Sequence, residues 1–167
     1  KCNKKVTFNK NIKLDEVRQA LSLFFAFVNV LICTFFAANH AYAQNEVNQW
    51  YFGFHAGINF ATSPPTTLTN GQISTNEGCA AISNDNGQLL FYTDGIKVWN
   101  NEHQVMPNAT DLAGNYSATQ SAIIVPQPQS NEIYYIFTVD DIAHDGGLQY
   151  SIVDMTLDND KGNVLIK

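Results

Sequence analysis

From residue 44 onward, apolar positions come in short runs of about four to eight residues, broken by clusters of Gly, Asn, Asp and Pro. They do not recur at the three-and-four spacing of an amphipathic helix. β-Branched and aromatic residues dominate the runs, and the pattern predicts an all-β fold. The predicted strands cover 50–54, 57–60, 78–83, 88–93, 96–100, 121–125, 132–139 and 148–155, with another beginning at Val164. The stretch 61–71 predicts a loop, because Pro64 and Pro65 have no N–H to give a ladder. Asn84-Asp85-Asn86-Gly87 and Asp94-Gly95 predict tight turns.

The strand groups repeat. Phe91-Tyr92-Thr93-Asp94 lies over Phe137-Thr138-Val139-Asp140 at an offset of 45 to 46, and Ala81-Ile82 over Ile123-Ile124 at 42. Three or four strands per unit of about 40–50 residues is the spacing of a β-propeller. A β-sandwich with coincident spacing is the alternative. The expected layout is a partial β-propeller of about two antiparallel meander blades, 72–118 and 119–167. Before them, 44–71 holds an N-terminal strand pair and a Pro/Thr loop.

The first 43 residues read differently. Residues 21–38 (LSLFFAFVNVLICTFFAA) carry no charge, follow a basic segment and precede Ala41-Tyr42-Ala43. A basic region, an apolar core and a small-x-small site predict a hydrophobic signal helix, cleaved between Ala43 and Gln44. The run is also just long enough for a membrane anchor, which stands as the alternative. Removal of the signal would take Cys2 and Cys33 with it. Cys79 would then be alone, with no intrachain disulfide, in an apolar run where it reads as a small buried hydrophobe.

Charge narrows the function. The whole chain of 167 residues has a net charge of −6. Residues 44–167 hold three cations (Lys97, Lys161, Lys167) against thirteen anions, a balance of −10, and no Arg. Nucleic-acid binding is excluded by that balance, since phosphate neutralisation needs clustered Lys and Arg. The absence of Arg also removes any arginine clamp for a carboxylate or phosphate.

Several strings carry a resemblance. They include Trp50-Tyr51-Phe52-Gly53, Ala56-Gly57-Ile58-Asn59-Phe60, Glu77-Gly78-Cys79-Ala80, Leu89-Leu90-Phe91-Tyr92-Thr93-Asp94-Gly95 and Val98-Trp99-Asn100. His103-Gln104-Val105-Met106-Pro107-Asn108, Thr119-Gln120-Ser121-Ala122-Ile123-Ile124-Val125-Pro126, Tyr135-Ile136-Phe137-Thr138 and Tyr150-Ser151-Ile152-Val153-Asp154-Met155 continue it. In order and spacing, 50–167 resembles the N-terminal propeller-like region of large secreted Bacteroidota proteins. Those proteins often carry PKD modules and end in a type IX secretion, gliding-motility-associated sorting domain. The resemblance implies export and delivery to the cell surface or medium, and supplies no catalytic residues. Because the chain opens on Lys1 and stops at Lys167 within a predicted strand, it is expected to be a piece of a longer protein.

Candidate chemistry is sparse. Asp158-Asn159-Asp160-Lys161-Gly162 alternates carboxylates before a glycine, which makes Asp158 and Asp160 the Ca²⁺ candidates. Read plainly, the same string is a polar hairpin turn. Asp140, Asp141 and Asp145 form a second acidic loop. Ser83-Asn84-Asp85-Asn86-Gly87 starts like the Asp-box turn of sialidase propellers, in which the Asp caps backbone N–H groups. His55, His103 and His144 lack metal-ligand spacing, although His144-Asp145 is the pair that would suit one zinc ligand and its orienting partner. The function expected is a non-catalytic adhesion or scaffolding module of an exported protein, meeting a protein or glycan at the cell surface. Membrane contact would come only through the signal or anchor segment. An extracellular polysaccharide hydrolase, with catalytic residues outside 44–167, is the other reading.

Overall fold

The computed structural model describes residues 14–37, 45–141 and 146–166. The chain divides into two compact units, Lys1–Tyr42 and Ala43–Lys167. In the first, α1 (Leu14–Ala37) is one helix of 24 residues. Its exposed side chains include Leu21, Leu23, Phe24, Phe25, Phe27 and Val30, so apolar groups surround the helix over that stretch. The interrupting Asn29 donates its amide to the Phe25 carbonyl at 2.7 Å, which lowers the cost of a polar group in an apolar setting. Among the described residues, no helix is long and apolar enough to cross a membrane. The cleavage residues Ala41, Ala43 and Gln44 lie outside the described residues.

The second unit is all-β after a short 3₁₀ turn at Asn45–Val47. The first sheet is β1 (Gln49–Phe52), β2 (Ala56–Asn59) and β3 (Thr66–Leu68). The second is β4 (Ala80–Ser83), β5 (Leu89–Thr93) and β6 (Val98–Asn100). The third is β7 (Ala122–Pro126), β8 (Ile133–Val139), β9 (Leu148–Asp154) and β10 (Asn163–Ile166). Every pairing is antiparallel between neighbours in sequence, so each sheet is a meander. None of the three closes on itself.

Two sequence expectations change. The expected loop 61–71 contains β3, and the N-terminal strand pair is therefore a three-stranded sheet. Both prolines precede β3, so its pairing Gly57↔Leu68, Ile58↔Thr67 and Asn59↔Thr66 needs no N–H from them. The repeat offset at the first strand also moves by one. Ile82 pairs with Phe91 and Ile123 with Phe137, so the equivalent residue is Ile123, at 41. Matching Ile82 to Ile124 would put equivalent side chains on opposite faces.

The second sheet is the middle layer. β5 sends Phe91 to one side and Tyr92 to the other, as strand alternation requires. Phe91 joins Ile82, Val98, Tyr134, Ile136, Val153 and Val164 in a buried cluster shared with the third sheet. Its ring meets Tyr134 edge to face, with centroids 5.4 Å apart. Tyr92 joins Tyr51, Ile73, Leu89 and Trp99 in a second cluster shared with the first sheet. It stacks on Tyr51 at 4.6 Å and on Trp99 at 5.5 Å. The layers lie closest along their first strands, β1 beside β4 and β4 beside β7.

The junction of second and third sheets closes on Ser121, which is fully buried. Its Oγ donates to the Asp94 carbonyl at 2.9 Å and accepts from the Asn115 N–H at 3.1 Å. Gly78, Gly95 and Gly114 crowd around it. A Cβ on Gly78 would fall 2.1 Å from the Ser121 backbone nitrogen, and one on Gly95 2.1 Å from its Oγ. Only glycine allows so close an approach.

Asn and Asp side chains end the strands. Asn84 Oδ1 accepts from Asn86 and Gln88 N–H, both at 3.0 Å. Asn100 repeats the device on Glu102 and Gln104, and Asp94 on Ile96 and Lys97. In the Asp-box-like turn, the capping residue is thus Asn84, one position before the Asp expected to serve. Asp85 instead accepts from the Asn45 side chain through its carbonyl, at 2.8 Å.

Candidate functional site

Two polar assemblies stand out in the second unit. The first is an open cleft of ≈ 330 Å³ where the chain enters β7 and leaves β8. Ser117, Ala118, Thr119, Gln120, Val139, Asp140 and Asp141 line it. Asp140 is placed by the end of β8, and its Oδ1 accepts from Asn115 Nδ2 at 3.1 Å and from the Asp141 N–H at 2.9 Å. Asn115 Oδ1 in turn takes the Ser117 N–H at 3.0 Å, which holds the opposite wall. Carboxylates on one wall and hydroxyls and a side-chain amide on the other thus share one water-open cleft, a lining suited to a polar, hydroxyl-rich ligand. Tyr116, just before the cleft lining, is 58% exposed.

The second assembly joins the first two sheets. Tyr51 Oη donates to Asn70 Oδ1 at 3.3 Å, and Asn70 Nδ2 stands 2.7 Å from His103 Nε2. On the other ring edge His103 Nδ1 lies 3.1 Å from Tyr92 Oη, which also accepts from the Gln72 N–H at 3.1 Å. Burial pushes the Tyr92 phenol up to about 12, raises Tyr51 and lowers His103. These shifts follow from desolvation within an aromatic stack. The network ties the layers together.

The remaining candidates scatter. Asp158 and Asp160 are exposed and lie beside Asn159 in a left-handed turn, with φ of 52°, 56° and 63° along the three residues. Lys161 follows and reaches Glu102 Oε2 at 2.7 Å. Among the described residues, no group of three or more His, Cys, Asp and Glu converges on a point where a metal ion would sit. His55 Nδ1 donates to the Gly71 carbonyl at 2.8 Å, a structural bond between hairpin and loop. Cys79 is half-buried against the Tyr92 cluster, and burial raises its thiol pKa, which keeps it protonated. His144 and Asp145 lie outside the described residues.

Sequence reasoning singled out Asp140 and Asp141 but not the opposite wall, Ser117 to Gln120. Nor did it find the pairing of His103 with Asn70. Both depend on contacts between segments distant in sequence, and no local pattern announces them. No protein-family model, no curated protein and no solved structure matches this chain.

Proposed function

We propose that the second unit is part of a non-catalytic β-propeller module in an exported cell-surface or secreted protein, where it serves as a platform for a protein or glycan ligand. The observation that carries this reading is the stacking of three meander sheets in chain order, closest along β1, β4 and β7. Sheets that converge on their first strands fan out like blades about an axis, whereas the two layers of a sandwich face each other across their full width. The uncharged apolar stretch of α1 from Leu21 to Val30 supports export, since it fits the apolar core of a signal segment. The resemblance to type IX-secreted Bacteroidota surface proteins points the same way.

The cleft at Ser117–Gln120 and Asp140–Asp141 is the binding site in this reading. Its mixture of carboxylate, amide and hydroxyl groups matches the alternating donors and acceptors of a sugar. The test is the exported protein on a glycan array and on surface-protein fractions, beside an Asp140→Asn and Tyr116→Ala variant. Binding weakened by that variant supports the platform. Release of reducing sugar from polysaccharide by the purified protein would favour the hydrolase instead.

A further inference from the structure

The ladder rows of the second and third sheets correspond. Ile82–Phe91–Asn100 in one is matched by Ile123–Phe137–Tyr150 in the other. In the second sheet the Phe91 row is covered, because Tyr134, Ile136 and Val153 of the third sheet pack on it. In the third sheet the Phe137 row points the opposite way from those three residues, since burial alternates strictly along β8. The next row on that face is Val125–Tyr135–Ile152, and beyond the Phe137 row stand Val139 and Leu148. The three rings Tyr135, Phe137 and Tyr150 have centroids 6.2 to 6.3 Å apart. Ile123, Leu148 and Tyr150 are 49%, 70% and 49% exposed. These rows contain no charged residue. An aromatic and aliphatic surface of this extent marks a contact face.

We infer that the outer face of β7–β10 is the docking surface for a fourth antiparallel sheet of the same ladder, carried by the same polypeptide. The stack itself names the occupant. The third sheet covers the Phe91 row through the face bearing Tyr134, and the equivalent row at Phe137 calls for a sheet presenting the same kind of face. Sheets are stacked in chain order, each beginning beside the first strand of the one before, so the continuing sheet belongs with a first strand beside β7. A second copy is the poorer occupant. Residues 44–167 have a charge of −10 and no Arg, so two copies repel as they approach. The inference rests on the stacking order alone and holds whatever ligand the molecule binds.

Hydroxyl-radical footprinting of the full exported polypeptide tests it with internal references. Tyr116 is 58% exposed and Tyr92 is fully buried, and all three tyrosines share one intrinsic reactivity. If the face is covered, Tyr150 is labelled about tenfold more slowly than Tyr116, approaching Tyr92, because reaction then needs local opening. That protection is expected to be unchanged on dilution. Labelling of Tyr150 within about twofold of Tyr116 means an open face and overturns the inference. Protection that disappears on dilution also overturns it, by putting a second copy on the face.

Discussion

Asn70 Nδ2 stands 2.7 Å from His103 Nε2, and this one contact selects the tautomer of the imidazole. The Asn70 carbonyl oxygen is engaged by Tyr51, so its amide donates to the ring. Nε2 must therefore accept, leaving the proton on Nδ1, where it reaches Tyr92 Oη. A second proton has no acceptor unless the Asn70 amide turns over.

Acid is thus expected to loosen the contact between the first two sheets. The folded His103 has a lowered pKa, so the unfolded chain binds the proton more readily. Stability is complete well above the unfolded value of about 6.5 and falls as pH drops through it, until the folded ring also charges. His103→Asn suits the φ of 62° and is expected to flatten that slope. Thermal denaturation from about pH 8 to 5 checks this. An unchanged slope would assign the effect to other groups.

At the alkaline end Tyr92 governs. Its phenol is raised to about 12 by burial, so stability is full below the unfolded value of about 10 and is lost as pH rises from there through about 12. Phenolate absorbance from Tyr92 should therefore rise late. Tyr92→Phe should shrink the late component, to which the buried Tyr51 and Tyr134 also contribute, and, by leaving the Gln72 N–H without its acceptor, cost about 1–2 kcal/mol.

The Ser121 junction makes a sharp comparison between glycines. Gly78→Ala places a Cβ on backbone that cannot yield, and a loss of about 3 kcal/mol or more is expected. Gly53 has a φ of 59° but nothing within 4 Å of its would-be Cβ, so Gly53→Ala should cost only about 1 kcal/mol of backbone strain. Equal losses in denaturant midpoint would contradict the packing described.

The turn at Asp158, Asn159 and Asp160 offers the opposite sign. Three consecutive non-glycine residues hold a left-handed backbone in an exposed place. Asn159→Gly is expected to stabilise by about 0.5 kcal/mol, relief of Cβ strain outweighing the added chain entropy. A lower melting temperature would show that the Asn159 side chain contributes to the turn.

The strands were legible because their side chains alternate or run apolar between turn residues, as at 132–139 and 148–155. β3 was not, because Thr66–Leu68 is short, follows two prolines and is a strand only through pairing with β2. Aligned on Phe91 and Phe137, the ladders put Ile123 rather than Ile124 in the position of Ile82. Letter matching favours Ile-Ile over Ile-Ile, whereas the ladder obeys the face on which each side chain falls. The site was far less legible. Asn115 with Asp140 and Asn70 with His103 are 25 and 33 residues apart in the chain, and only the stacked sheets bring them together.

That stacking also fixes an order of events. Each sheet is a local meander and can close its own ladder quickly, whereas the cores between sheets wait for the next segment to arrive. A chain emerging N-terminus first completes β1–β3 before Tyr92 exists to stack on Tyr51, and β4–β6 before Tyr134 can reach Phe91. At every stage one apolar face is left open at the growing end, and the face itself moves along the chain as synthesis proceeds. The period of greatest risk from aggregation is therefore set by the delay between one sheet and the next, more than by the final stability of any of them.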